Sequence, residues 1–401
     1  MKGEYIMKKI KGLLFADLHI GAMNVEKQYE EIENTIFNSI KKYKPDYIIS
    51  LGDFFDHKAS LNDSLSYYSF LVFTKIISLC EELNITPKIR FVYGTESHEW
   101  NQYKIIETYK TNLDIKVVHY CEEEELFPDF HVLYIPEEHL YNKGEYYNNF
   151  LSNTKKYDYI FGHGVIREVM KEAAIINDSA TSSRKKVPVF STGELTYACK
   201  GQVYFGHYHI NTNINDEVFY CGSFNRWCFG EEEPKGIYYV EKINDEYENK
   251  FIENTMAEVF KTISFGYDNN IFKDINVMND KLAHIENMIN DGIFDKVRFE
   301  FNIPTTADNP EYLMKIIKDK YRFNNDVKLN IVHGYNDEKK KKNKEEIEKW
   351  NIENAPIFDK NKSIEDKVSF FIRLEFKREI KPERVNLYLN YPLSEILERY
   401  E

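Results

Sequence analysis

Five short stretches of this chain combine residue types that bind metal ions: Asp17-Leu-His19, Gly52-Asp53-Phe-Phe-Asp56, His98-Glu99, Gly162-His163 and Gly206-His207-Tyr-His209. Each closely follows an apolar run: Leu13–Ala16, Tyr47–Leu51, Ile89–Tyr93, Tyr159–Phe161 and Val203–Phe205. A lone Asp-x-His or Gly-His pair is usually coincidence, but the set is more telling. Five of the 11 histidines (His19, His98, His163, His207, His209) fall into this one pattern, while His57, His119, His131, His139, His284 and His333 read as ordinary surface or core residues. Carboxylate and imidazole donors without thiolate suit manganese, iron or zinc better than calcium or magnesium. The donors outnumber what one tetrahedral ion can take, and two ions sharing a bridging carboxylate would use them. Two-metal centres with ions ~3.5–4 Å apart suit in-line displacement at phosphorus. The residues alone point to a binuclear hydrolase of a phosphate ester.

Such donors need strand ends to carry them. Short apolar runs predict strands at Gly12–Ala16, Tyr47–Leu51, Ile89–Tyr93, Ile115–Val118, Val132–Ile135, Tyr159–Phe161, Gln202–Phe205, Val218–Cys221 and Ile237–Val240. Helical patterns over Val25–Tyr43 and Leu61–Leu83 separate the early ones. Strands alternating with helices indicate an α/β domain with parallel or mixed sheets. In such sheets the carboxyl ends of strands line one crevice, and 36 residues from Asp17 to Asp53 fit one strand–helix–strand unit. A glycine before a ligand lets the chain turn sharply and approach an ion closely. Residues 243–264 read as an irregular bridge. A smaller α/β unit over 265–335 follows, then a charged stretch with a lysine run at Lys339–Lys342 and an apolar tail, Val368–Leu397.

The 401 residues carry 53 Lys plus Arg against 66 Asp plus Glu, a net charge of −13, which argues against a basic nucleic-acid coat. The 42% hydrophobic and 15% aromatic content excludes wholesale disorder. No run of ~18 apolar residues predicts a membrane span. The polar, basic stretch Met1–Lys9 does not read as a secretory signal. Five scattered cysteines (Cys80, Cys121, Cys199, Cys221, Cys228) suggest reduced thiols and a cytoplasmic home.

In their order, the five motifs resemble the calcineurin-like metallophosphoesterase superfamily. Asp17-Leu-His19-Ile-Gly21 is similar to the opening motif of nuclease subunits of the SbcC–SbcD type and their meiotic-recombination relatives. The block Tyr220-Cys-Gly222-Ser223-Phe-Asn-Arg226-Trp-Cys-Phe229-Gly230-Glu231, followed by Lys235-Gly236, resembles the Gly-Ser-x-x-Arg-x-x-Phe-Gly-Glu…Lys-Gly signature of those nucleases. The resemblance covers about residues 10–242. It implies a two-sheet α/β sandwich with a smaller α/β capping domain and a C-terminal partner-binding segment: a nuclease domain at 1–242, a bridge at 243–264, a cap at 265–335, and a linker with the partner-binding segment at 336–401. It further implies two divalent ions, most readily Mn2+. Asp17, His19 and His209 would hold the first, His163 and His207 the second, with Asp53 bridging. His98 would bind no metal and would assist the leaving oxygen. The implied partners are DNA, both double-stranded ends and single strands, a coiled-coil ATPase of the SbcC kind, and a second copy of the chain through helix Leu61–Leu83 or the one before it.

One departure stands out. The family pattern Gly-Asn-His-Asp/Glu puts an asparagine carbonyl on the second metal, whereas this chain reads Gly94-Thr95-Glu96-Ser97-His98-Glu99. Ser97, a water, Thr95, Glu96 or Asn101 is left to fill the gap. Glu99 is expected to orient His98 or to sit solvated at a helix start. Asp56 either approaches substrate or finishes its turn, and Arg226 either meets a DNA phosphate or forms a structural salt bridge. The ATP-binding pattern Gly-x-x-x-x-Gly-Lys-Ser/Thr does not occur, so any ATP dependence must come from a partner. Two other readings remain: a generic phosphodiesterase or phosphatase of the same superfamily, and a catalytically impaired scaffold.

Overall fold

The computed structural model describes residues 9–60, 63–99, 101–138, 143–169, 187–266, 295–302 and 327–328, with scattered positions between 276 and 319. Of two compact units, the first gathers Met1–Ser264, Asn276–Glu300 and Tyr321–Lys328, and the site lies within it. The expected tail, 336–401, and most of the expected cap lie outside the described residues.

The first sheet begins with β1 (Lys9–Phe15), which pairs in parallel with β2 (Tyr47–Leu51); β3 (Lys88–Val92) and β4 (Ile115–Val118) continue it in parallel. On the other side of β1, β13 (Gly236–Ile243) and β14 (Glu246–Glu253) add antiparallel strands. In the second sheet, β6 (Phe130–Ile135), β7 (Tyr157–His163), β10 (Cys199–Gly206) and β12 (Val218–Tyr220) run parallel. Antiparallel edges are supplied by β5 (Glu122–Phe127) and β11 (Thr212–Asn213), and two short strands, β8 (Val165–Ile166) and β9 (Val189–Phe190), pair in parallel outside both sheets. The order is β14-β13-β1-β2-β3-β4 in one sheet and β11-β12-β10-β7-β6-β5 in the other.

The layers follow from the period of two along each strand. Leu13 and Phe15 of β1 join Ile36, Ile40, Phe73 and Ile76 in a core beneath the helices. Leu14 and Ala16 turn the other way, toward Val132, Tyr134, Phe161 and Tyr204 of the second sheet. On that sheet's far side, Leu133, Ile160, Val203 and Phe205 pack with Tyr147, Leu151 and Leu195. With both faces covered, central strands must be apolar throughout, which is why the runs are continuous rather than alternating. Each fully buried large apolar side chain contributes ~1.5–3 kcal/mol.

Helix α1 (Val25–Ile32) is capped by the Asn24 side chain, which accepts from the Lys27 N–H at 2.9 Å. It passes through a wider π turn at Glu33–Phe37 into α2 (Asn38–Tyr43), so the helix expected over Val25–Tyr43 is one path with a local bulge. Ile32, Ile36, Phe37 and Ile40 are fully buried on it. Helix α3 (Ser64–Glu82) starts at Asp63, whose carboxylate accepts from the Leu65 N–H at 3.0 Å. Helices α4 (Tyr103–Thr108), α5 (Lys143–Leu151) and α6 (Thr192–Ala198) are short.

Two strands differ from the sequence expectation. Glu122–Glu125 forms most of β5, an edge strand whose charges are paired rather than free: Glu124 reaches the buried Arg90 at 2.6 Å and Glu122 reaches Lys116 at 2.6 Å. Within 243–264, expected to be an irregular bridge, β14 forms the outer strand of the first sheet. Its mostly exposed residues, Glu246, Glu248, Asn249 and Lys250, give no apolar signal, as an edge strand allows.

Candidate metal centre

The carboxyl ends of β1, β2 and β3 in one sheet and of β6, β7 and β10 in the other converge on one place. Asp17 and His19 follow β1, Asp53 follows β2, and the Gly94–Glu99 turn follows β3. From the second sheet come His163, ending β7, and His207 and His209 after β10. The backbone is bent hard to do this. Asp17, His19, Asp53 and His207 all have positive φ (48°, 43°, 48° and 99°). Non-glycine residues avoid this region unless the surroundings enforce it. Crowding explains the glycines: a Cβ on Gly52 would lie 2.2 Å from His163 Nδ1, and one on Gly206 would lie 2.4 Å from the Leu51 carbonyl.

All six residues expected to hold metal are brought together. Asp17, His19 and His209 offer donor atoms within 4.8 Å of one another, as do Asp17, Asp53 and His163. His19 Nε2 lies 3.1 Å from His209 Nε2 and 3.8 Å from Asp53 Oδ2. His163 Nε2 is 3.3 Å from the same Asp53 oxygen, so Asp53 stands between the two groups. Asp17 accepts the His207 N–H at 3.0 Å, tying β1 to the loop after β10.

Hydrogen bonds at the far side of the rings set the tautomers. His163 Nδ1 donates to the Leu51 carbonyl at 2.7 Å and His209 Nδ1 to Glu231 at 2.9 Å, so both rings turn Nε2 toward the cluster, where a bound cation would take the place of its proton. Burial of His19 lowers its pKa to about 3, so it stays neutral. Burial raises the Asp17 carboxyl. For Asp53 burial opposes charge, but the His163 and His19 imidazoles outweigh it and hold the pKa well down. His163 is the mirror case, raised by Asp53, Asp17 and Glu137 against the cost of burial.

The Gly222–Gly236 block is built around His209. Burial works against charge on Glu231, yet His209, Lys235 and the Trp227 N–H hold its carboxyl at about 2. Lys235 Nζ, itself buried, donates to the His209 carbonyl at 2.6 Å. Arg226 donates to the carbonyls of Glu258 and Glu233 at 2.9 and 2.8 Å, a structural use rather than a phosphate contact.

His98 lies beside the cluster, its ring centroid 4.7 Å from that of His19. Its Nδ1 contacts the Asp56 carbonyl. Glu99 does different work from that expected. It is fully buried, accepts from the Phe54 N–H, the Gly94 N–H and the Tyr103 hydroxyl, and clamps the β3 turn onto the β2 turn. Burial raises its pKa to about 8. Asp56 closes its turn through its N–H to the Ile20 carbonyl and its side chain to His57 at 2.9 Å.

Of the residues weighed for the asparagine's place, Glu96, Ser97 and Asn101 are exposed, while Thr95 turns inward. Thr95 Oγ1 lies 3.1 Å from Asp53 Oδ2 and 3.3 Å from His163 Nε2. Sequence reasoning missed Glu137, which stands two residues past β6 with its carboxylate 2.9 Å from His207 Nδ1 and 3.7 Å from His163 Nε2. A signal existed: an apolar run, Val132–Ile135, is followed two residues on by a ligand-type residue, but proline rather than glycine stands between.

These side chains fit divalent ions. Asp17, Asp53 and Glu137 are buried with imidazoles for neighbours, and no Lys or Arg pairs with them among the described residues. Buried carboxylates need a cation, and His19 Nδ1 is buried without a hydrogen-bond partner. The donor clusters fit a binuclear site.

No family model matches the sequence. No curated protein matches it either. Solved structures similar to the chain include YfcE, a phosphoesterase from E. coli, at 12% identity and TM-score 0.30 over 62% of this chain and 96% of that one. The nuclease MPE of Pseudomonas putida matches at 14% identity and TM-score 0.27 over 57% and 83%. A cold-active protein-tyrosine phosphatase of a psychrophilic Shewanella matches at 11% and 0.26 over 61% and 79%. What the site can do rests on its own geometry.

Proposed function

We propose that this chain is a divalent-metal-dependent phosphodiesterase acting on DNA, the nuclease subunit of an assembly with a coiled-coil ATPase. The observation that carries the reading is the convergence of Asp17, His19, Asp53, His163, His207 and His209 from the strand ends of both sheets. Asp17, His19 and His209 would hold one ion and His163 and His207 the other, with Asp53 shared. Bound there, Mn2+ ions supply Lewis acidity and a lowered pKa for water.

The chain's own groups do the rest. Leu51 and Glu231 fix the tautomers of His163 and His209. The Asp56 carbonyl holds the Nδ1 side of His98, leaving Nε2 to give a proton to the leaving oxygen. Supporting a nucleic-acid substrate, the partly exposed Trp227 ring lies 5.6 Å from that of His19, a surface on which a base can stack. The Val368–Leu397 tail is the proposed contact with the ATPase, and residues 336–401 the segment that carries it. Truncation at about residue 350 should abolish co-purification with that partner.

The test is cleavage of linear duplex and single-stranded DNA with Mn2+, against nucleotide and phosphopeptide substrates. DNA cleavage that falls on the order of 10²–10⁴-fold in His98→Ala, with metal binding retained, is expected. Hydrolysis of the small substrates alone would make the chain a general phosphoesterase. Metal binding with no hydrolysis at all would make it a scaffold.

A further inference from the structure

We propose that Glu137 is a direct ligand of the second ion, supplying an anionic oxygen where the Gly94–Glu99 turn offers none. The inference rests on the binuclear reading above and deepens it. In the second sheet β10, β7 and β6 are adjacent and parallel, with Gly206 opposite His163 and Ile135 opposite Gly162. Their carboxyl ends therefore present His207, His163 and Glu137 side by side. The three offer donor atoms within 4.8 Å of one another.

Glu137 is held there from both ends. Its N–H donates to the Tyr93 carbonyl at 3.2 Å, anchoring it to the end of β3 in the opposite sheet. Its side chain is 2% exposed and its Oε2 lies 3.3 Å from Thr95 Oγ1. The Thr95 hydroxyl stands between Glu137 and Asp53, where its single proton can serve only one carboxylate at a time. That leaves more buried negative charge than the protein's own donors satisfy. Among the described residues the ion-pair partners of Glu137 are the imidazoles of His207, at 2.9 Å, and His163, at 3.7 Å. A divalent ion resolves this. With Glu137 included, each ion faces two imidazoles and two carboxylates, Asp53 being shared. The second site is then a match for the first in donor type and charge, and should take the same metal with comparable affinity.

The experiment is Mn2+ titration of the full chain by calorimetry and by equilibrium dialysis with elemental analysis, in wild type, Glu137→Gln and Glu138→Gln. Glu138 is the neighbouring control, whose carboxylate accepts from the Cys121 N–H outside the cluster. Wild type and Glu138→Gln should bind two equivalents. Glu137→Gln should keep one and bind the other on the order of 10–100-fold more weakly. Anomalous diffraction from Mn2+-soaked wild-type crystals needs no variant, so a poorly folded Glu137→Gln does not block the test. It should place the second ion within about 2.2 Å of a Glu137 carboxylate oxygen. Two equivalents of unchanged affinity in Glu137→Gln, or a second ion out of reach of Glu137, overturns the assignment and leaves the binuclear reading standing. Absence of Mn2+ binding by wild type overturns both.

Discussion

Glu231 acts at one remove, through the imidazole it holds. Replacing it with glutamine keeps the shape but weakens the grip on His209 Nδ1, so Mn2+ affinity should fall on the order of 10–100-fold. Titration alongside a melting curve separates this from unfolding, since the fold should survive. Gly52→Ala is the opposite kind of change, chemically mild and sterically severe. A methyl 2.2 Å from His163 Nδ1 and 2.9 Å from the Gly94 backbone, at φ 87°, must displace the ring and strain the turn, so metal binding and stability should both drop. At this scale the sequence was highly legible. Every histidine placed in the pattern lies in the cluster, because imidazoles at strand ends are rare enough to stand out. Glu137 and Glu231 were not legible as site residues, and Thr95 was one of several left open. Carboxylates and hydroxyls are common on surfaces, and only the pairing of β6 beside β7, or of a loop beneath His209, reveals what they face. Among the residues left open for the asparagine's place, the turn points Ser97 outward and Thr95 in, a choice that spacing alone does not make.

The elements that carry the site were legible where they are buried on both faces. Tyr47–Leu51 matches β2 residue for residue. The charged edge strands β5 and β14 were not legible, because they trade apolar signal for charge. Glu122–Glu125 is a run of four carboxylates, yet Glu124, with Asp114, clasps Arg90, whose side chain is 2% exposed. Removing Glu124 would leave a buried guanidinium short of its partner. Glu124→Ala should therefore destabilise by about 3 kcal/mol, the scale seen when one half of a buried pair is deleted, measurable by urea unfolding. A cap is worth less. Asp63→Ala removes the side-chain acceptor at the start of α3 and should cost ~1 kcal/mol. If it costs nothing, α3 is held by its packing against β2 and β3 rather than by its cap.

For the whole molecule, the net charge of −13 says little about which ligand the site meets. Two acidic runs are ion-paired within the chain: Glu122 with Lys116, Glu123 with Lys156, Glu124 with Arg90, Glu231 with His209, Glu232 with Lys261 and Glu233 with Lys235. Ion pairing of this kind makes the fold acid-sensitive. Burial opposes charge on Asp158, but Lys242 at 2.6 Å, the His131 N–H and Tyr247 hold its pKa below the ordinary 3.8. Its stabilisation is complete above 3.8 and is lost as the pH falls through the lower folded value. Asp158→Asn should melt well below wild type at pH 7, with the gap closing below pH 3.8. Among the described residues no helix is long and apolar enough to cross a membrane. The convergence of strand ends has one more consequence, for motion rather than chemistry. The donors come from two different sheets and are separated by up to 192 residues between Asp17 and His209. Ions seated there would rivet the two layers at their seam, closing long loops in the process. Chelation should therefore speed hydrogen exchange at the carboxyl ends of β2 and β7, while the amides of α3, on the outer face of the first sheet, exchange as before.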